Sequence, residues 1–380
     1  MHKELSNFAA RLRAVISHGQ KVLDPGQFSG LALELFALQY QFNPAYQKIC
    51  EARQLRPGKA AGWAQVPSVP TGAFKELDLS CVPPNERTAV FHSSGTTGQR
   101  PSRHFHSPES LALYEASLWH WFSLHFNAEN EWLFLTPSAA AAPHSSLVHM
   151  FETVGRTAPR GRRDAFCGRL DGDGSWTVDF EQVVPRLKAA GSDRRPLTIL
   201  GTAFSFVHLV DFLAADGLRF RLPPGSQVME TGGYKNRSRV LPKAELHALI
   251  ADRLGLGRGQ IICEYGMSEL SSQAYDSPRE YQAPTSLDAD DPEPAGSETG
   301  APDGRAFHFP PWARVQIISP ETGCEASEGE TGLIRIFDLA NVFSVAAIQT
   351  EDLGVRRGDG FELIGRAQLA EPRGCSLMAA

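Results

Sequence analysis

The chain has 380 residues, of which 42% are hydrophobic and 21% charged, so it can form two or three domains or one large α/β body. Its formal net charge of −6 argues against a general nucleic-acid binder, which needs a basic face to offset phosphate charge. No apolar run approaches the roughly 20 residues that a membrane span requires.

The N-terminal region, residues 1–85, is predicted to be helical and rich in loops. Its first 20 residues break their apolar positions with charges, which is typical of an amphipathic helix and not of a signal peptide. The apolar segment FSGLALELFALQYQF predicts a second helix. The prolines of WAQVPSVPTGAFK favour extended backbone after it.

The cysteine pattern points to thiols and not to a metal site. There is no CxxC and no metal-ligand spacing, so we expect reduced thiols in a cytoplasmic protein. Five are expected to be small buried or half-buried residues, and the sixth, Cys375, is treated below. The cysteines are Cys50, Cys81, Cys167, Cys263, Cys324 and Cys375.

Residues 86–304 carry the pattern of an α/β core. TAVFHS and RHFHS predict two strands around a loop, and Ser107 is predicted to cap the next helix, with Pro108 at its first position. Further strands are predicted in PLTILGTAF, GSQVMETGG and GQIICEYG, with helices between them. Ligands of such sheets bind at the loops beyond the strand ends.

The C-terminal part of the chain differs in composition and in its predicted secondary structure. Residues 276–304 are acidic, rich in Pro and Gly and poor in core-forming residues, which predicts a mobile surface loop. The short strands of ARVQIIS, GLIRIF and FELIG then predict a small antiparallel β subdomain over residues 305–366. Residues 367–380 are predicted to be a short tail.

The segment SSGTTG is a candidate phosphate loop. Its glycines permit positive φ, so that backbone amides can face one point, and its hydroxyls add donors to that nest. A plain surface turn is the alternative, since these residue types are common in turns. Gln99 and Arg100 follow the loop, so the pattern GxxxxGK[ST] of a Walker-type NTPase is not met. The loop consists of Ser93, Ser94, Gly95, Thr96, Thr97 and Gly98.

SSGTTG resembles the nucleotide loop of the adenylate-forming enzymes, the superfamily of acyl-CoA synthetases, luciferases and adenylation domains. EYGMSEL resembles the aromatic-Gly-x-Ser/Thr-Glu motif of the same superfamily. This resemblance implies that Tyr265 stacks on adenine, that Ser268 contacts the α-phosphate and that Glu269 binds Mg²⁺. It also includes Gly266 and Met267 in the ATP site. The chemistry is suitable, because a carboxylate holds a hard cation that neutralises phosphate charge.

Three further segments follow in the order of that superfamily. METGGYK has Gly232 and Gly233 at a strand end, where backbone approaches adenine, and then Lys235, which meets either a phosphate or solvent. IQTEDLG resembles the Thr-Gly-Asp segment, which implies that Asp352 holds the ribose hydroxyls, although a glutamate replaces the glycine. LIGR has Arg366 at the position of the Gly-Arg pair before the hinge.

The tail carries a candidate nucleophile. The chain stops 14 residues after Arg366, so we expect it to lack the superfamily's mobile C-terminal domain and its lysine. Lys235, Arg100 or Arg103 would then balance charge during adenylation. The chain also resembles the acyl-protein synthetase family in SSGTTG, METGGYK, EYGMSELSSQAYD, PPWARVQI and RGCSL. In that family the acyl group passes from the adenylate to a cysteine near the C-terminus, which implies Cys375, and then to a partner reductase.

The sequence therefore predicts an α/β adenylate-forming ligase with a large N-terminal domain that uses ATP and Mg²⁺ on a fatty-acid type of substrate. His144 and Ser145, beside the apolar SLVHMF, are predicted to contact the substrate carboxylate. An acyl- or aryl-CoA synthetase with free CoA as acceptor is the alternative. A non-catalytic binding partner of a reductase is disfavoured by intact Glu269, Asp352 and Arg366. Acyl chain length and the final acceptor stay open.

Overall fold

The computed structural model describes residues 2–18, 23–93, 100–160, 165–172, 175–232, 241–277 and 305–367. Eight of the predicted site residues lie outside these ranges, as do residues 278–304 of the acidic loop. Those eight are Ser94, Gly95, Thr96, Thr97, Gly98, Gly233, Lys235 and Cys375.

Helices and strands alternate through the middle of the chain, after an N-terminal region that is mainly helical. The described helices are α1 (Lys3–Ser17), α2 (Pro25–Phe42), α3 (Pro44–Ala52), α4 (Ala73–Glu76), α5 (Pro108–His125), α6 (Ser146–Thr157), α7 (Phe180–Asp193), α8 (Ala203–Ala215) and α9 (Lys243–Leu254). The described strands are β1 (Val69–Pro70), β2 (Ala89–His92), β3 (Arg103–His106), β4 (Glu131–Phe134), β5 (Gly168–Leu170), β6 (Trp176–Val178), β7 (Leu197–Thr202), β8 (Gln227–Thr231), β9 (Ile261–Tyr265), β10 (Ala274–Ser277), β11 (Ala306–His308), β12 (Ala313–Ile318), β13 (Thr331–Asp338), β14 (Ala347–Arg357) and β15 (Gly360–Arg366).

Eleven of the described strands belong to one mixed sheet. Its order is β12-β13-β14-β15-β11-β10-β9-β8-β7-β4, and β1 pairs with β14. Strands β4, β7, β8 and β9 are parallel, whereas the strands from β10 to β15 pair antiparallel. The antiparallel part joins the parallel part through the antiparallel pair β9–β10. The predicted α/β class is confirmed.

The parallel strands are covered on both faces, as expected for a parallel sheet. Alternate residues enter two different cores, because successive side chains of a strand point to opposite faces. Leu133, Ile199, Val228 and Ile261 pack with α7, α8 and α9. Their neighbours Phe134, Leu200, Met229 and Ile262 pack with α5 and α6 in a core that we call the aromatic cluster. Its aromatic members are Phe91, Tyr114, Phe122, Phe126, Trp132, Phe134, Phe151 and Tyr275.

Helix α5 begins as predicted. The backbone N–H of Ser110 donates to Ser107 Oγ at 3.2 Å, and Pro108 occupies the first turn, where its missing N–H costs no hydrogen bond. Tyr114 and Leu118 are buried on the face predicted to pack inward. None of the helices in the described ranges combines the length and the apolar character needed to cross a bilayer.

Two sequence-based expectations are wrong. Asp276 does not begin a surface loop but lies in β10 with 1% of its side chain exposed. Its burial is compensated because Oδ1 accepts the N–H of Cys263 and Oδ2 pairs with Lys243 Nζ, each at 2.5 Å. Cys324 is exposed, whereas the other four described cysteines are buried, and all five are free thiols.

Candidate active site

The predicted phosphate loop leaves the sheet of β2 and β3 through a stem that two serines close. Residues 89–92 pair with residues 103–106 in antiparallel register. Beyond this ladder, the N–H of Ser93 donates to Ser102 Oγ at 3.3 Å, and the N–H of Ser102 donates to Ser93 Oγ at 3.0 Å. These two hydrogen bonds therefore hold the two ends of the loop next to each other.

The predicted Ser268 and Glu269 lie against this stem. Ser102 Oγ is 3.4 Å from Ser268 Oγ, and Ser268 Oγ donates to Glu269 Oε2 at 3.0 Å. His104 Nδ1 donates to the carbonyl oxygen of Ser268 at 2.8 Å. Burial lowers the pKa of His104 to about 4, so its ring is neutral at pH 7. The structure thus brings together one end of the predicted phosphate loop and the predicted metal ligand.

The side chain of Glu269 is almost completely shielded from solvent. It is 4% exposed, and burial raises its pKa. Hydrogen bonds from Ser102 and Ser268 and the positive charge of Lys75 act in the opposite direction. The two bonded side chains are neutral hydroxyls, and a buried carboxylate gains most from a nearby cation. This donor set fits a hard divalent ion such as Mg²⁺.

The backbone of this turn is held by the segment that follows β13. Asn341 Nδ2 donates to the carbonyl oxygen of Glu269 at 2.8 Å. Asp338 accepts from the N–H of Ser271 at 2.9 Å and from Ser272 Oγ at 2.8 Å. Burial nevertheless raises the pKa of Asp338 to about 6. Glu269 is therefore supported by β3 from one side and by the chain after β13 from the other.

The residues predicted to bind adenine and ribose are in direct contact. Tyr265 Oη donates to Asp352 Oδ2 at 2.8 Å. The ring of Tyr265 lies edge-on to Phe361, with centroids 5.3 Å apart. Burial raises the pKa of Asp352, while the bond from Tyr265 and the charge of Arg366 lower it. Arg366 is paired across β14 and β15 with Asp352 in register, and its Nη2 donates to Glu351 at 2.7 Å.

Three other predicted residues lie at the ends of elements. Gly232 directly follows β8, with φ +74 and open space where a β-carbon would stand. His144 is exposed, and its ring stacks on His92 with centroids 4.7 Å apart. Ser145 caps α6, because its Oγ accepts the N–H of Val148 at 3.2 Å. A role of these residues in binding stays a prediction.

The predicted cations of the stem do not contact Glu269 in the described structure. Arg100 is exposed and lies 4.0 Å from Glu76. The Arg103 guanidinium lies 5.7 Å from the centre of the Phe105 ring. Lys75 of α4 is instead the cation whose charge acts on Glu269.

Sequence reasoning missed four side chains of this site: Ser102, His104, Asn341 and Lys75. Ser102 and His104 are two residues apart at β3, so both point to one face of the hairpin, towards Ser268. That spacing was readable in SRH, residues 102–104. The hydrogen bond of Asn341 to Glu269 spans 72 residues and the charge effect of Lys75 on Glu269 spans 194, and no local pattern indicates either.

Comparisons with known proteins agree with the motifs. No protein-family model matches the chain. It is 22% identical over 363 residues to the long-chain-fatty-acid–luciferin-component ligase of Aliivibrio fischeri, covering 92% of this chain and 87% of that protein. The enzyme of the same name from Vibrio harveyi is 22% identical over 360 residues, covering 92% and 86%.

The fold has relatives among solved structures. An open conformation of 2-hydroxyisobutyryl-CoA ligase, in complex with 2-HIB-AMP and CoA, superposes with a TM-score of 0.63 at 13% identity. The match covers 90% of this chain and 69% of that one. The same ligase in the thioesterification state gives a TM-score of 0.60 at 14% identity, over 87% and 63%. The chain therefore shares its fold with 2-hydroxyisobutyryl-CoA ligase and is similar in sequence, over most of its length, to two long-chain-fatty-acid–luciferin-component ligases.

Proposed function

We propose that the protein activates a fatty-acid type of carboxylic acid with Mg·ATP and transfers the acyl group to its own Cys375, for delivery to a partner protein such as a reductase. The observation that carries this proposal is the connection of the loop stem to the predicted metal ligand: Ser102 contacts Ser268, which donates a hydrogen bond to Glu269. The names of the two curated relatives support the substrate class. Free thiols suit a reducing compartment, so we place the reaction in the cytoplasm.

In the first step a carboxylate oxygen attacks the α-phosphorus of ATP. The new bond is a P–O bond, the bond from the α-phosphorus to the bridging oxygen of the β-phosphate breaks, and pyrophosphate leaves. No general base is required, because a carboxylic acid is ionised at pH 7. The protein's contribution is positioning and charge stabilisation. Glu269 would hold Mg²⁺, which neutralises phosphate charge when it is bound, and Ser268 would turn its hydroxyl from Glu269 to donate to the α-phosphate.

Tyr265 and Asp352 would position the nucleoside. The hydrogen bond between them fixes the ring and the carboxylate relative to each other before a ligand arrives. The ribose hydroxyls can donate to Asp352, whose pKa is raised by burial and which therefore gains from new donors. Such pre-organisation reduces the entropic cost of binding the nucleoside.

In the second step the thiolate of Cys375 would attack the acyl carbon of the mixed anhydride. The C–S bond forms, the bond from the acyl carbon to the phosphate oxygen breaks, and AMP leaves. The thiolate is the attacking form, and Arg373, two residues before Cys375 in the sequence, would favour that form. A tethered thiol reaches a high effective concentration at a bound adenylate.

The test is an intact-mass measurement after incubation with ATP, Mg²⁺ and a panel of fatty acids. We expect a mass increase of one acyl group that hydroxylamine removes, and its loss in Cys375→Ser. Cys324→Ser is the matched control, because Cys324 is an exposed free thiol and should not be needed. An adduct that persists in Cys375→Ser would contradict the tethered thiol.

Two further outcomes separate the alternatives. Pyrophosphate release with acyl transfer only to added CoA would identify an acyl- or aryl-CoA synthetase. No pyrophosphate release with any acid would remove the enzymatic proposal altogether and leave a binding role.

A further inference from the structure

Glu264 is a buried carboxyl at the edge of the candidate site that the proposed reaction does not use. It lies one residue before Tyr265 at the end of β9 and is 6% exposed. Thr231, its partner in register on β8, donates its hydroxyl to Oε2. No described residue donates a hydrogen bond to the other oxygen, Oε1. Within the described ranges, one oxygen of this carboxyl thus has a hydrogen-bond donor and the other has none.

The Oε1 atom of Glu264 lies just below the surface of the site. A β-carbon built on Gly266 would stand 2.3 Å from Glu264 Oε1, so the carboxyl fills the space that a side chain at position 266 would take. Gly266 itself is exposed. Gly232, directly after Thr231, is also exposed, and a β-carbon built on it would meet no atom within 4 Å outside its chain neighbours. A small ligand that approaches over these two glycines meets Glu264 Oε1.

The carboxyl faces the side of the sheet on which the substrate acid is predicted to bind. Successive strand residues point to opposite faces, so Glu264 and Tyr265 diverge. Tyr265 packs with Phe307 and Phe361, on the side of Asp352. Glu264 points to the face of Ile262, which belongs to the aromatic cluster.

Tyr114 links that face to the predicted acid-binding segment. Burial and then the negative charge of Glu264 raise the pKa of Tyr114, which lies in the aromatic cluster. The Tyr114 hydroxyl donates to the carbonyl oxygen of Ser146 at 3.5 Å. Ser146 directly follows His144 and Ser145 in the chain. Glu264 therefore points to the face of the predicted acid-binding segment, whereas Tyr265, which bonds to Asp352, points to the opposite face.

A carboxyl at the position of Glu264 would distinguish substrate acids that carry a hydrogen-bond donor from those that do not. An unsubstituted alkyl chain that covers Oε1 would remove it from water without giving it a hydrogen bond, which weakens the binding of that acid. A substrate with a hydroxyl or an amino group would restore that bond. Sites built around a polar contact reject analogues that lack the partner group more strongly than apolar pockets do.

Resting on the proposed function, we infer that Glu264 is a specificity-determining residue and that the preferred acid carries a hydrogen-bond donor, a hydroxyl or an amino group, near its carboxyl end. Thr231 positions the side chain through Oε2, and the substrate's donor binds Oε1. The inference concerns which acid is activated and leaves the adenylation chemistry unchanged.

The experiment compares kcat/KM for pyrophosphate release with matched acids: decanoic, 2-hydroxydecanoic, 3-hydroxydecanoic and 2-aminodecanoic acid. We expect the wild type to prefer at least one donor-bearing acid by 10-fold or more. Glu264→Leu should abolish or reverse this preference by improving the unsubstituted acid. Glu264→Gln keeps a hydrogen-bonding group and should retain a reduced preference, shifted at least 3-fold.

Glu230→Gln is the matched control, since Glu230 is a buried carboxylate on the neighbouring strand and points to the opposite face. The ratio between acids should not change in this variant. Thermal unfolding checks that each variant folds, and if the leucine variant does not fold, the glutamine variant decides. A wild type that prefers decanoic acid, with the same ratio in both Glu264 variants, overturns the inference and leaves acid activation intact. Absence of pyrophosphate release with every acid overturns the proposed function, and the inference falls with it.

Discussion

Burial of the Glu269 carboxyl has a free-energy cost that the protein only partly offsets. Ser102 and Ser268 supply neutral hydrogen bonds and Lys75 a positive charge, yet the pKa of the carboxyl stays raised. A neutral side chain of similar size could fill the same space without the cost of burying an ionisable group. A buried carboxyl at this position is therefore consistent with a binding role for Glu269.

Glu269→Gln tests that role. We expect Mg²⁺-dependent pyrophosphate release to fall by about 100-fold or more, since the amide is a poor ligand for a hard cation. The free energy of unfolding in urea should stay equal or rise, because a buried charge is removed. A variant that loses unfolding free energy together with pyrophosphate release would contradict a metal-binding role, since it would indicate that the carboxylate is structural.

Glu264 gives the folded protein a pH-dependent stability. Burial raises the pKa of Glu264 from 4.5 to about 7, so the folded state keeps a proton that the unfolded state releases. The stabilisation is complete below about pH 4.5 and is lost as the pH rises through about 7. The loss is on the order of 3 kcal/mol at most.

Urea unfolding at pH 5, 6, 7 and 8 measures this effect. We expect Glu264→Gln to flatten the decline of the wild type over this range, so that the variant is relatively more stable at pH 8 than at pH 5. A difference between the two proteins that is independent of pH would mean that Glu264 does not titrate there.

At the scale of elements, the hairpin of β2 and β3 is the part that joins two distant segments of sequence. Ser102 bonds to Ser93 at the stem and lies beside Ser268 after β9, while His104 bonds to the Ser268 backbone. A single side chain therefore fixes both the loop ends and the turn of Glu269. Movement of the hairpin would displace both groups together.

Ser102→Ala removes the acceptor of the Ser93 N–H and the contact with Ser268. We expect KM for ATP to rise by about 10-fold, with a loss of stability of about 1 kcal/mol. Ser123→Ala is the control, because the Ser123 hydroxyl donates to a carbonyl of its own helix, that of His120. An equal change of KM in both variants would show that the hairpin contact is not specific.

Local signals explain which parts of this fold were predictable. The cap of α5 was read correctly because Ser107, Pro108 and Ser110 lie within one turn. The end of the core at Asp276 was misplaced, because the partner that permits its burial, Lys243, lies 33 residues away. The motif of Ser268 and Glu269 was found by resemblance, but the groups that hold it, Ser102 and Asn341, come from other elements. Composition and periodicity do not predict such contacts between distant segments of the sequence.

On the scale of the whole molecule, the N-terminal helices are part of the support of the site. Gln39 of α2 donates to the carbonyl oxygen of Asn341 at 2.7 Å and accepts the N–H of Ala346 at 3.0 Å. Gln39 is buried, and these contacts span about 300 residues. Asn341 in turn holds the carbonyl of Glu269. The first helices are thus connected to the predicted metal ligand through two side chains.

Gln39→Leu tests this long connection. The substitution leaves the buried carbonyl of Asn341 and the N–H of Ala346 without the partners seen here, which should cost about 2–4 kcal/mol of the free energy of unfolding. Because Asn341 loses its support, the Mg²⁺ concentration for half-maximal pyrophosphate release should also rise, by about 3- to 10-fold. Gln41→Leu, at an exposed position of the same helix, is the control and should change neither quantity. A Gln39→Leu protein that is destabilised but has unchanged Mg²⁺ dependence would show that the N-terminal helices stabilise the fold without acting on Glu269.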